Sequence, residues 1–482
     1  MNKPLKVRFL EPGNRPYRPS PWNLFVYDRY IRTPGTGLIT LATIARDAGA
    51  DARVYSESIS RIVWEDVLDA DLVCIGVFTF NAPRGYELAD YVRKHSRALV
   101  VLGGLHASLS AQEAVGHADF VLLGEGDESI RDLLAALSAG ERPVFPGLAW
   151  RDESGAFRTT GPRRPPCDIS TIPDRSLVYR YREMAGHNTL WPQVHASRGC
   201  PHNCDYCAVV RHFGHRVRTR PPENVVEEIR QAIAFHDRPG QLLRVLWLTD
   251  DNFFADRDWA MSVLRAILRS GIRCAFTVQA RFEVGFDDEM LDLLAQAGFT
   301  ELAMGVEFLD DESFALYHKQ STRDQIVASI RNIQRHGLQV RGLFILGADN
   351  HEPGVGDRLA DFAIENDLCG VLIQAMYFVP GTPVYEANRG RLLREGDWGR
   401  CTGHAVHYPR RMSPEQLQRE VLRASARIYS LPRLLHALRR RRGMYRLLFA
   451  GECLWQWSVR ADLKRELPWL RALSASPRAE SQ

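Results

Sequence analysis

Short apolar runs alternate with amphipathic stretches along the first third of the chain. Val7–Leu10, Ala52–Tyr55, Leu72–Phe78, Ala98–Leu102 and Phe120–Leu123 have strand length, and helical spacing governs Thr36–Ala50, Pro83–Ser96 and Ser129–Ser138. Strands and helices in alternation predict a parallel sheet covered by helices on both faces. Residues 147–161 read as a hairpin around Glu153-Ser154-Gly155, and the prolines between 161 and 173 mark a domain boundary.

The alternation then resumes. Strand patterns at Val194–Ala196, Leu243–Thr249, Ala275–Gln279, Glu301–Glu307, Gln339–Leu346 and Val371–Tyr377 are separated by helical stretches such as Pro222–His236. Together they fit an open (β/α)6 partial barrel, whose polar strand ends are where barrel sites are built. Further on, Ser413 and Pro414 suit the cap and first turn of a helical region. The expected architecture is α/β: an N-terminal doubly wound, Rossmann-like domain over 1–146, a hairpin and proline-rich linker over 147–190, a partial TIM barrel over 191–390, and a C-terminal helical, basic region over 391–482.

Composition narrows the class. The chain has 482 residues, 45% hydrophobic and 25% charged, which is more than one ordinary domain and the balance of a soluble globular protein. No signal peptide or spanning apolar segment is evident, so a cytoplasmic protein is expected. Residues 411–482 carry 15 Lys/Arg against 6 Asp/Glu, a net +9, and the overall +4 leaves −5 for the rest. Arg439-Arg440-Arg441-Arg442 stands beside Met444-Tyr445-Arg446-Leu447-Leu448-Phe449, a combination suited to a solvated amphipathic helix or to an anionic membrane surface. No nucleic-acid reader module accompanies this charge, so no nucleic-acid partner is expected.

Three of the nine cysteines cluster in Ser197-Arg198-Gly199-Cys200-Pro201-His202-Asn203-Cys204-Asp205-Tyr206-Cys207, spaced C-x3-C-x2-C. A cubane iron-sulfur cluster takes four ligands, so three local thiolates leave one iron with an open position. A structural zinc completed by His202 or His212 is the competing reading, although this spacing is not a usual zinc pairing.

At Cys200, Cys204, Tyr206 and Cys207 the chain resembles the radical S-adenosylmethionine (SAM) superfamily. The resemblance implies a [4Fe-4S] cluster held by Cys200, Cys204 and Cys207, with SAM on the open iron and its reductive cleavage giving a 5'-deoxyadenosyl radical. It further implies SAM contacts from Tyr206, from Asp250 and Asp251 to the amino group, from Gln279 and Arg281 near the carboxylate, from Glu307 to the ribose, and from the Gly342–Gly347 strand, including Ile345, to adenine.

Val101-Leu102-Gly103-Gly104-Leu105-His106-Ala107-Ser108 and Asp119–Asp127 resemble the cobalamin-binding domain found ahead of many radical SAM domains. The resemblance implies that Thr79, Phe80 and Asn81, Gly103, Gly104, Leu105 and His106, and Gly124, Glu125 and Gly126 surround the cofactor. Residues 1–150 contain no D-x-H-x-x-G motif, so His106 and His117 are read as loop residues and not as cobalt ligands.

The family so identified, which includes hopanoid methylase-like and anaerobic Mg-protoporphyrin cyclase-like enzymes, implies methyl transfer from methylcobalamin to an unactivated carbon. A cyclase, oxidase or rearrangement enzyme with the same cofactors is the alternative, and a non-catalytic sensor comes from a different class. Expected partners are a small-molecule substrate, apolar or membrane-associated, and a reductant such as flavodoxin or ferredoxin. Localisation is expected to be cytoplasmic, peripheral at the membrane.

Overall fold

The structure, a computed structural model, describes residues 3–13, 21, 34–184, 192–237, 244–440 and 444–475. Seven strands build the first sheet: β1 (Lys6–Glu11), β2 (Asp51–Ser56), β3 (Leu72–Gly76), β4 (Leu99–Gly103), β5 (Phe120–Leu122), β6 (Leu148–Arg151) and β7 (Phe157–Thr159), in the order β2-β1-β3-β4-β5-β6-β7. From β2 to β5 every pairing is parallel. The central strands LVCIG and LVVLG are almost wholly buried, as strands covered on both faces must be. Order reverses at β1/β3, which places the crevice beyond the carboxyl ends of these strands.

The 147–161 hairpin is not separate from this domain. Its strands β6 and β7 pair antiparallel to β5 and to each other, so they extend the first sheet. The following segment lies along the sheet's other edge, where Tyr179 N donates to Val54 O.

A second sheet forms the barrel. β8 (Gln193–Val194) precedes a two-stranded ribbon of β9 (Ser197–Arg198) and β10 (Arg218–Thr219), so the strand signal at 194–196 divides between a barrel strand and this ribbon. β11 (Val245–Leu248), β12 (Ala275–Ala280), β13 (Phe299–Glu307), β14 (Gln339–Leu346) and β15 (Gly370–Ala375) follow, in the order β15-β14-β13-β12-β11-β8, all parallel.

Local signals fix the covering helices. Asp256 caps Arg257–Ser270 by accepting from Trp259 N, and left-handed Gly271 ends it. Thr322 and Gln325 close a capping box on Arg323–Arg335, and Ser413 and Gln416 do the same for Pro414–Ile428. The last barrel strand has an exposed edge that the C-terminal helices seal: Tyr429 Oη receives Val371 N–H at 2.7 Å and donates to Val371 O at 2.9 Å.

The C-terminal region is not purely a barrel appendage. Residues 398–406 return to the first domain, where Trp398, Cys401 and Val406 enter the core on one face of its sheet. Arg441 and Arg442 of the basic run lie outside the described residues, and only the backbone of Arg440 and Met444–Leu447 is described. Among the described residues, no helix is long and apolar enough to cross a membrane.

Candidate active site

The β9–β10 ribbon closes the base of a loop that carries the three cysteines. Gly199 opens it with φ +94°, and a Cβ there would lie 2.6 Å from Arg216 O, so the turn requires glycine. Within the loop Cys207 N donates to Cys204 O at 3.1 Å. All three thiols are free and partly exposed. Burial pushes Cys207 up to about 12 and raises Cys200, with the neighbouring cysteines adding to each shift. Such thiols become ligands only when a metal centre draws their protons off. Among the described residues, no three His, Cys, Asp or Glu side chains close around a single metal ion, these thiols included.

Asp250 and Asp251 follow β11, and the structure gives them different work. Asp250 is fully buried and accepts from Ser197 Oγ at 2.5 Å and Ala196 N at 3.3 Å, which braces the strand feeding the cysteine loop. Asp251 is enclosed, and its Oδ2 is buried without a partner. Burial and the charge of Asp250 push it up to about 7, and it lies within electrostatic reach of Cys200 and Cys207. An orphaned carboxylate oxygen beside the thiols fits an ammonium group.

The other barrel positions are distributed around the same mouth. Tyr206 packs edge-on to Phe308 and Tyr317, at ring-centroid distances of 5.9 and 6.4 Å. Gln279 is the penultimate residue of β12 and Arg281 follows the strand, but the Arg281 fork is engaged by Glu283 at 2.8–3.2 Å. Glu307 ends β13 in the left-handed region, φ +66°, after a register shift against β14. Gly342 makes room for packing: a Cβ there would lie 2.4 Å from Phe344 Cε2, on the side away from Ile345.

The first domain offers a glycine-lined rim. Gly104 has φ +90° and passes so close to the residue after β3 that a Cβ would sit 2.8 Å from Val77 O. Gly124 (φ +75°) faces open space, and Gly126 abuts Leu41. Leu105 opens the short helix after Gly104, and Ser108 Oγ ties Gly104 O to Gly124 N. Phe80 stacks on Phe78, which is 51% exposed, giving a flat apolar surface at the end of β3. Open backbone and a flat apolar face fit a large planar cofactor.

Several polar side chains expected on this rim are committed elsewhere. Asn81 Oδ1 accepts from Phe78 N, and its amide donates to Pro12 O. His106 is fully buried, with Nδ1 3.3 Å from Thr79 Oγ1 and its ring edge-on to Trp398. Glu125 pairs with Arg198 and Arg218, both from the barrel half, at 2.6 Å.

Other residues at the site gave no motif in the sequence. Arg198 is one, Trp398 is another through its Nε1 bond to Glu113 at 3.0 Å, and Lys319 is a third, its side chain 3% exposed below Glu307. Each acts through a partner distant in sequence, which no local pattern marks.

Residues 194–354 match the Radical SAM superfamily model. The chain is 26% identical over 398 residues to the bacteriochlorophyllide d C-12(1)-methyltransferase of Chlorobaculum tepidum, covering 81% of this chain and 82% of that protein. The cobalamin- and [4Fe-4S]-bound structure of TsrM, a radical SAM methyltransferase of Kitasatospora setae, superposes with TM-score 0.68 at 18% identity, covering 95% of this chain and all of that one. OxsB, a cobalamin-dependent SAM radical enzyme solved with aqua-cobalamin and SAM, gives 0.69 at 13% identity, covering 99% and 82%. At these identities the two structures share the fold.

Proposed function

We propose that this chain, which carries a radical SAM domain in its central stretch, is a cobalamin-dependent radical SAM enzyme that methylates an unactivated carbon of a small molecule. The observation that carries the reading is the orphaned Oδ2 of Asp251, within electrostatic reach of Cys200 and Cys207 and of Glu125 on the glycine-lined rim.

When bound, the cluster with SAM supplies a hydrogen-abstracting radical and the cobalamin a transferable methyl group. The chain's part is to hold and orient. Cys200, Cys204 and Cys207 hold the cluster, and Asp251 receives the SAM amino group. Glu307 addresses the ribose hydroxyls, while Gln279, Arg281, Tyr206 and Ile345 bound the rest of the SAM site. Asp250, bonded to Ser197, keeps the loop's entry strand in place. Gly103, Gly104, Leu105, Gly124 and Gly126, with Phe80, form the cobalamin rim, backed by Thr79, Asn81, His106 and Glu125.

A low-potential flavodoxin or ferredoxin is the reductant in this reading. Nine free cysteines and an oxygen-sensitive cluster suit the cytoplasm. An apolar, membrane-associated substrate is supported by the helix Leu431–Arg440, where Leu431, Leu435 and Leu438 are 57, 46 and 38% exposed beside Arg433 and Arg439. Sedimentation with anionic and neutral vesicles checks this, and equal absence from both pellets removes it.

The decisive experiment uses the reconstituted, cobalamin-loaded protein with methyl-labelled SAM and a strong reductant. Labelled methylcobalamin and deoxyadenosine are expected. Deoxyadenosine without any label on cobalamin moves the reading to a cyclase or oxidase.

A further inference from the structure

Glu307 occupies an unfavourable backbone conformation, and something must hold it there. A non-glycine residue in the left-handed region costs free energy and persists where its surroundings over-determine it. The described residues contain four such positions outside glycine, and two of them, Glu307 (φ +66°) and His318 (φ +51°), sit together at this site.

The neighbours show what imposes the geometry. Gly305 leaves space that the Glu307 carboxylate enters, since a Cβ on Gly305 would lie 2.6 Å from Glu307 Oε1 and 3.7 Å from Lys319 Nζ. Lys319 Nζ fills the rest: it donates to Gly305 O at 2.5 Å and stands 3.6 Å from Glu307 Oε1. Its side chain is 3% exposed against 18% for Glu307, so this is an enclosed cation and not a surface pair.

The segment bearing Lys319 is also fastened to the cysteine loop. His318 Nδ1 lies 2.7 Å from Asp205 Oδ2, and Asp205 N donates to Tyr317 O. Lys319 N is fixed by Phe314 O at 2.9 Å. Cys204, next to Asp205, lies within electrostatic reach of the buried ammonium. One short segment thereby grips both the end of β13 and the loop that carries the thiols.

We infer that Lys319 is a positioning residue with two effects: it sets the Glu307 carboxylate for the ribose hydroxyls, and it places a positive charge beside Cys204 that favours the reduced cluster. The inference rests on the site reading above. A positive charge near the cluster stabilises the added electron, so its removal drives the midpoint potential down. Removal also frees Glu307 to relax out of the strained conformation.

The test uses the full-length, reconstituted protein, with SAM affinity from titration and the cluster midpoint from a potentiometric titration followed by electron paramagnetic resonance. With wild-type iron content, Lys319→Met is expected to bind SAM roughly tenfold more weakly, the scale of one lost charge-assisted hydrogen bond, and to show a lower midpoint. Lys319→Arg keeps the charge but not the compact donor, so it is expected to restore the midpoint and not the affinity. In a Glu307→Gln background, Lys319→Met is expected to cost little further affinity while still lowering the midpoint.

Wild-type affinity and midpoint in Lys319→Met overturn the inference. Should that variant fail to hold iron, Lys319→Gln, which retains a donor for Gly305 O, replaces it, and iron loss in both overturns the inference in favour of a scaffold role. Failure of the wild-type protein to bind SAM is a different result and strikes the site reading itself.

Discussion

Arg198, two positions before Cys200, reaches out of the barrel half and donates to Glu125 at 2.6 Å and to Asp127 at 2.8 Å in the first domain. Arg218, its cross-strand partner in the ribbon, pairs with the same glutamate. The entry to the cysteine loop is thus anchored to the loop after β5, and the two candidate cofactor sites share one joint.

Glu125 is 2% exposed and serves two guanidinium groups, so its removal strands buried charge. Glu125→Ala is expected to destabilise the protein by about 3–5 kcal/mol. Thermal melting measures the loss, and hydrogen exchange is expected to rise in 197–200 and 218–219 together.

Gly199→Ala places a Cβ 2.6 Å from backbone at a positive φ, where nothing nearby can swing aside. The cost is expected to exceed about 1 kcal/mol. The readable consequence is local: iron and sulfide per chain fall after reconstitution, while far-ultraviolet circular dichroism stays at the wild-type value.

Asp251, pushed up to about 7, gives a pH test. Its folded-state value exceeds the unfolded one, about 3.9 for an aspartate, so the folded state binds the extra proton and loses stability as pH rises between them. Asp251→Asn lacks this loss. Its stability relative to wild type, without cofactors, is expected to grow from pH 5 to pH 7, and chemical denaturation at the two values measures it. SAM affinity of the wild type runs the other way, rising as the carboxylate ionises.

Tyr429→Phe removes the hydroxyl that accepts from Val371 N and whose single proton is shared between Glu452 at 2.5 Å and Val371 O at 2.9 Å. A loss of about 1–3 kcal/mol is expected from groups left buried and unpaired. Proteolysis should cut the C-terminal helices of this variant first.

Periodicity made both sheets legible, because parallel strands such as LVCIG and LVVLG need continuous apolar runs and their helices a single apolar stripe. The cysteine spacing was legible for a different reason: three thiols in one loop need no tertiary contact to come together. Pairing was not legible. Asp250 and Asp251 are adjacent and chemically alike, yet Ser197 claims one and leaves an oxygen of the other open, a division that depends on how β9 passes β11. The hairpin at 147–161 carried turn signals but no sign of which strand it would join. Glu125 looked like a ligand-facing residue at a glycine-rich strand end until its arginine partners, 73 and 93 positions away, came into contact.

The return of 398–406 to the first domain bears on how the protein is made. Trp398 and Glu113 are 285 residues apart, and Trp398, Cys401 and Val406 belong to the core that β3 and β4 begin. An amino-terminal domain emerging from the ribosome therefore waits, with one face of its sheet incompletely covered, through the synthesis of the entire barrel. Loop closure over such a span is slow, so the half that is translated first completes its core only after the barrel strands have been made.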